Sequence, residues 1–167
     1  TPLYSSAASD VYKRQGVVQG CEALLRWHHP ELGSVSPAVT IELAERSGLI
    51  VPLGAWILER ACSQAALWPA AWRVHVNLSV KQMNEDSLVQ LVSDVLASTR
   101  LAPRKLVLEI TESIFILHYE RHVKILNTLR AKGIGVALDD FGCGYSSLNH
   151  LRHLCLLYTS PSPRDQR

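Results

Sequence analysis

Four acids and one amide recur at the ends of short apolar runs: Glu22, Asn77, Glu109 and the pair Asp139 and Asp140. The steps from Glu22 to Asn77, Asn77 to Glu109 and Glu109 to Asp139 are 55, 32 and 30 residues. Each of the last two steps matches one strand and one helix, and the first has room for two helices. If the apolar runs are parallel strands, their carboxyl ends share one face and these side chains converge there. Converging carboxylates repel, and each raises its neighbour's pKa unless a cation neutralises them. Hard oxygen donors suit Mg²⁺ or Mn²⁺ rather than zinc. A single carboxylate at a strand end is commonly a helix cap or a solvated charge. Its recurrence at successive ends is what sets this group apart. In an extended run Glu22, Leu24 and Arg26 share a face. Arg26 then suits bidentate contact with a phosphate, and equally an ion pair with one of the acids.

The elements that must position these residues alternate. Apolar, strand-like runs cover residues 17–26, 73–79, 105–110 and 135–139. Helical spacing of apolar residues covers 38–46, 53–68, 85–98 and 118–131, and residues 146–153 open a further helix. Ser36 followed by Pro37 is a helix start, with a serine cap and proline at the first helical position. Gly133 is placed to close the helix before it. Residues 29–33 read as a loop. Strands that alternate with helices predict an α/β fold with a parallel sheet and right-handed crossovers. No internal repeat is evident.

Composition narrows the function classes. The chain of 167 residues is 47% hydrophobic and 19% charged, which is globular and fits one domain. No run of about 18 apolar residues is present to span a membrane. The four cysteines Cys21, Cys62, Cys143 and Cys155 form no C-x-x-C pair. A disulfide framework or zinc site is therefore not indicated, and a reducing cytoplasm is the expected location. The formal charge of +2 comes entirely from the ends: residues 1–15 and 155–167 carry +1 each, and residues 16–154 sum to zero. That is no electrostatic footprint for DNA or RNA. Both ends also lack periodicity, and the second is rich in proline and serine. They resemble translated sequencing-adapter read-through, so residues 1–15 and 155–167 are set apart as non-native or disordered, with the domain at 16–154.

The motifs around the acids match a known family. Glu22-Ala23-Leu24-Leu25-Arg26-Trp27, with His29-Pro30 after it, resembles the opening of EAL domains, the bacterial cyclic di-GMP phosphodiesterases. Asn77-Leu78-Ser79 resembles their VNLS strand, and Glu109 to Ser113 their EITES strand. Asp139-Asp140-Phe141-Gly142, continuing to Leu148, resembles their DDFGxGYSSL loop. The resemblance implies a TIM-like (β/α)₈ barrel whose first strand runs antiparallel, of which this chain is about the first half, with four parallel strands and intervening helices. It implies two Mg²⁺ or Mn²⁺ ions on Glu22, Asn77, Glu109, Asp139 and Asp140, with Glu22, Glu109, Asp139 and Asp140 as the catalytic set. Leu25 and Arg26 correspond to substrate contacts. Glu112 corresponds to the acid that anchors the loop 141–147, which couples the metals to a homodimer interface. The reaction implied is two-metal hydrolysis of cyclic di-GMP to linear pGpG in second-messenger signalling.

A full barrel of this kind needs about 250 residues. The family continues beyond residue 154 into strands that bear a lysine, a glutamate and a glutamine, none of which has a counterpart here. The chain alone is therefore expected to be inactive. The alternative is an EAL module that binds cyclic di-GMP or a protein partner without turnover; the intact set of first-half motif residues favours the enzyme. Other motifs fall away. Asp140-Phe141-Gly142 lacks the remaining kinase motifs. His118 and His122 lack the H-E-x-x-H pattern and read as exposed helix residues. Cys21 and Cys143 read as small packing residues rather than nucleophiles.

Overall fold

The computed structural model describes residues 11–14, 17–111, 113 and 118–139. A five-stranded sheet runs through them. Its strands are β1 (Val11–Arg14), β2 (Val17–Ala23), β5 (Arg73–Asn77), β6 (Leu106–Thr111) and β7 (Gly135–Asp139), adjacent in that order. The pairs β2–β5, β5–β6 and β6–β7 are parallel, as the alternating pattern predicts. A separate hairpin joins β3 (Trp27–His29) to β4 (Gly33–Val35). The helices are α1 (Pro37–Ser47), α2 (Ile50–Ala66), α3 (Val80–Met83), α4 (Leu88–Thr99) and α5 (Tyr119–Ala131).

Strand alternation divides the sheet into two faces. On one, Val74, Val76, Leu106, Leu108, Ile110 and Val136 are buried against the helices. Leu58, Cys62 and Ala65 of α2, Val92 and Leu96 of α4, and Leu126 and Leu129 of α5 complete that core. The opposite face carries Glu22, His75, Asn77 and Glu109. The core therefore leaves the polar row on a face the described helices do not fill.

The capping residues act as their types dictate. Ser36 Oγ accepts from Val39 N at 3.3 Å, with Pro37 beginning α1. The buried Lys105 donates from Nζ to the carbonyls of Ala65 and Trp68 at 2.7 and 3.0 Å, satisfying the end of α2. Ser79 and Gln82 form a reciprocal capping box on α3, immediately after Asn77.

Gly54 makes room for that box. A Cβ at this buried position of α2 would collide with the Gln82 side-chain amide. Alanine normally stabilises a helix interior over glycine by about 1 kcal/mol. Here Gly54→Ala is expected to lower stability by about 1 kcal/mol, because it displaces a capping side chain in a packed setting. Urea unfolding of a domain completed beyond residue 139 checks the sign. In a Gln82→Ala background the same change should become neutral or stabilising, and equal losses in both backgrounds would contradict the packing account.

Cys21 and Cys62 are buried free thiols. Burial pushes the Cys62 thiol up to about 12. Cys62 should therefore resist alkylation by iodoacetamide at pH 8 until the domain unfolds, since the thiolate is the nucleophile. Mass spectrometry of a domain completed beyond residue 139 checks this; rapid native labelling at Cys62 would contradict it.

Some boundaries differ from the sequence expectation. Residues 1–15 read as outside the domain, yet Val11–Arg14 forms an antiparallel edge strand on β2. Edge pairing uses backbone groups common to all non-proline residues, so a segment without hydrophobic period can take the place. The run 17–26 ends as a strand at Ala23, and the period-two argument linking Glu22 to Arg26 stops with it. Residues 29–33, a loop by composition, turn the β3–β4 hairpin: His29 Nδ1 accepts from the backbone N–H of Glu31 and Leu32. His122 is fully buried rather than exposed, and its Nε2 lies 2.9 Å from Asn84 Oδ1. With Arg121, which donates to Asn84 O and Asp86 Oδ1, it fastens α5 to the segment after α3. The helix expected at 146–153 lies outside the described residues.

Candidate metal-binding face

Parallel register places the polar row. Glu22 lies opposite His75 across β2–β5, and Asn77 lies opposite Glu109 across β5–β6. Glu109 lies opposite Ala137, and Thr111 opposite Asp139, across β6–β7. Residues two apart on a strand share a face, so Glu22, His75, Asn77 and Glu109 all belong to one side of the sheet. Gly20 sets the spacing of the first pair. A Cβ there would collide with the Arg73 carbonyl, so only glycine lets β2 approach β5 this closely.

The contacts follow from that placement. Asn77 Nδ2 donates to Glu22 Oε1 at 2.7 Å, joining residues 55 apart in sequence. With its amide nitrogen on Glu22, the group Asn77 has to offer a cation is its carbonyl oxygen. Glu109 is buried at 6% exposure, and His75 Nδ1 lies 2.8 Å from its Oε1. A carboxylate only accepts, so the ring nitrogen donates. The cost of burying the Glu109 charge is offset by this partner.

Among the described residues, no three His, Cys, Asp or Glu side chains form a metal-holding group. The described donors are two carboxylates and an amide on one face, and the Asp139 backbone closes β7 beside Thr111. The Asp139 side chain, Asp140, Glu112 and the loop 141–147 lie outside the described residues. Arg26 follows the strand rather than continuing it, and its Nη1 donates to the Leu25 carbonyl at 2.9 Å. Leu25 is buried. The donor chemistry, hard oxygens at strand ends beside a buried carboxylate, fits a hard divalent cation.

His75 has no part in the motif pattern of the sequence, yet it is the buried partner of Glu109. The available signal was a histidine two residues before Asn77 in an otherwise apolar strand, where period two puts it on the site face.

The EAL domain family model matches residues 11–157, and the chain belongs to the EAL domain family. It is 44% identical over 143 residues to the bifunctional diguanylate cyclase/cyclic di-GMP phosphodiesterase MucR of Pseudomonas aeruginosa, covering 83% of this chain and 21% of MucR. An uncharacterized signaling protein of Caulobacter vibrioides is 47% identical over 137 residues, covering 82% of this chain and 17% of that protein. The solved MucR phosphodiesterase in complex with cyclic di-GMP superposes with a TM-score of 0.78 at 44% identity, over 82% of this chain and 57% of that one. The FimX EAL domain of Pseudomonas aeruginosa bound to cyclic di-GMP superposes with a TM-score of 0.72 at 25% identity, over 80% and 55% of the two chains. The chain thus spans about a fifth of these curated relatives and just over half of these solved domains.

Among the described residues no helix is long and apolar enough to cross a membrane.

Proposed function

We propose that this chain carries the first part of a site that hydrolyses cyclic di-GMP to linear pGpG, active when the barrel is complete. The observation that carries the reading is the gathering of Glu22, Asn77 and Glu109 on one sheet face, with Glu22 and Asn77 in direct contact. The similarity to MucR, described as a cyclic di-GMP phosphodiesterase and solved with that dinucleotide, supports the same substrate.

In this reading Glu22, Asn77, Glu109, Asp139 and Asp140 hold Mg²⁺ or Mn²⁺. The chemistry such cations supply when bound is activation of a water and neutralisation of phosphoryl charge during in-line displacement at one phosphodiester. The chain's own residues do the positioning. Glu22 and Asn77 hold each other across β2 and β5, which fixes two oxygen donors before any cation arrives. Arg26 turns its guanidinium from the Leu25 carbonyl to a substrate phosphate, and Leu25 packs beneath the dinucleotide. Glu112 anchors the loop 141–147 against the site, and through it a homodimer. The acidic row disfavours an anionic substrate by itself, so binding of cyclic di-GMP should depend on the cations as well as on Arg26. We assign the domain to the cytoplasm, in keeping with the free thiols Cys21 and Cys62.

The test is a graft in which residues 17–139 replace the matching segment of the MucR EAL domain. Chromatographic detection of pGpG, dependent on Mg²⁺ or Mn²⁺, is the expected result. Binding of cyclic di-GMP without turnover would instead support the non-catalytic module. Absence of both would overturn the reading.

A further inference from the structure

We propose that His75 is a positioning residue for Glu109: its Nδ1–H fixes one carboxylate oxygen, so that the buried acid meets a divalent cation in a single orientation. The inference rests on the reading of Glu109 as a cation ligand and deepens it.

Three observations carry it. His75 and Glu109 are each 6% exposed, so this contact is made away from bulk water. His75 Nδ1 and Glu109 Oε1 lie 2.8 Å apart, the length of a strong charge-assisted hydrogen bond. The strand register makes the contact a consequence of the fold. His75 lies opposite Glu22 on one side and Val107 on the other, while Glu109 lies one pleat further along β6, opposite Asn77. The ring therefore stands within the row of acids, between the strand that bears Glu22 and the strand that bears Glu109.

The chemistry follows from the inventory of the two groups. An ionised carboxylate has about four lone-pair positions on two oxygens and rotates about its last bond. A buried N–H that engages Oε1 removes that rotation. The imidazole places its nitrogen close to the strand, at Nδ1, which a longer amide does not reproduce. Asparagine sets an amide nitrogen near the Nδ1 position, glutamine sets one nearer Nε2, and leucine sets none. Hydrogen-bonding partners of metal ligands typically contribute about 10- to 100-fold in metal affinity.

The test uses the MucR graft, with Mn²⁺ binding read by the loss of the free-ion electron paramagnetic resonance signal. Thermal unfolding without metal is measured alongside. His75→Leu is expected to weaken Mn²⁺ binding by about 10- to 100-fold. His75→Asn should bind like the unsubstituted graft, and His75→Gln should bind like His75→Leu. If the leucine variant does not fold, the contrast between asparagine and glutamine decides the matter. Unchanged affinity in His75→Leu, or an equal loss in the asparagine and glutamine variants, would overturn the positioning role while leaving the metal site standing. No Mn²⁺ binding by the unsubstituted graft would instead overturn the metal reading, and this inference with it.

Discussion

Glu22→Ala in the completed domain is expected to lower cyclic di-GMP hydrolysis by at least about 100-fold, equivalent to about 3 kcal/mol of transition-state stabilisation. The change removes a charged oxygen donor and also deprives Asn77 of the acceptor at 2.7 Å that orients its amide. Two of the proposed donors are thus disturbed by one substitution. Glu42→Ala is the matched control, because Glu42 lies on the solvated side of α1 in an exposed i,i+4 pair with Arg46. Pairs of that kind contribute little, so the control should retain full activity. Calcium should inhibit where Mg²⁺ or Mn²⁺ supports turnover, since its longer bonds and looser geometry displace the reacting groups. Steady-state assays with each ion check these statements. An unaffected Glu22→Ala variant, or full turnover in a chelator, would contradict cation-assisted hydrolysis.

The 167-residue chain expressed alone should show no measurable hydrolysis and no cooperative unfolding. Among the described residues β7 pairs on one side only, with β6. Parallel strands are normally covered on both faces and both edges, and an open apolar edge invites association with other chains. The other edge is better protected, because β1 covers β2. The acids on the site face add a second penalty. Their mutual repulsion opposes compaction unless cations bind, and cation affinity in turn depends on a complete ligand set. Size-exclusion chromatography, a circular-dichroism melt and product analysis check the outcome. A soluble monomer that melts cooperatively and cleaves the dinucleotide would contradict it.

The parts of this fold legible in sequence are those with strong periodicity or punctuation. Ser36-Pro37 marks the start of α1 by residue type, and the apolar runs 73–79 and 135–139 mark β5 and β7, the first stopping two residues early at Asn77. The acids at strand ends imply one site because parallel strands bring their carboxyl ends together, and Glu22, Asn77 and Glu109 do lie on one face. Other features depend on tertiary partners that sequence does not display. The strand carrying Glu22 stops at Ala23, where its pairing with β5 ends, although the apolar run continues. His122 looks like a solvated helix histidine until the Asn84 side-chain oxygen arrives from the segment after α3 to accept from its ring Nε2. α3 is four residues long, too short to show a helical period. His75 was the least legible, because a polar residue inside an apolar strand gains meaning only when Glu109, 34 positions away, is placed beside it.

The most direct test of the central claim is a crystal structure of the grafted domain soaked in Mn²⁺, with anomalous diffraction recorded at the manganese edge. The account predicts anomalous peaks at coordination distance, about 2.1–2.3 Å, from oxygens of Glu22, Asn77 and Glu109. Peaks confined to other residues, or none at a concentration that supports turnover, would contradict it.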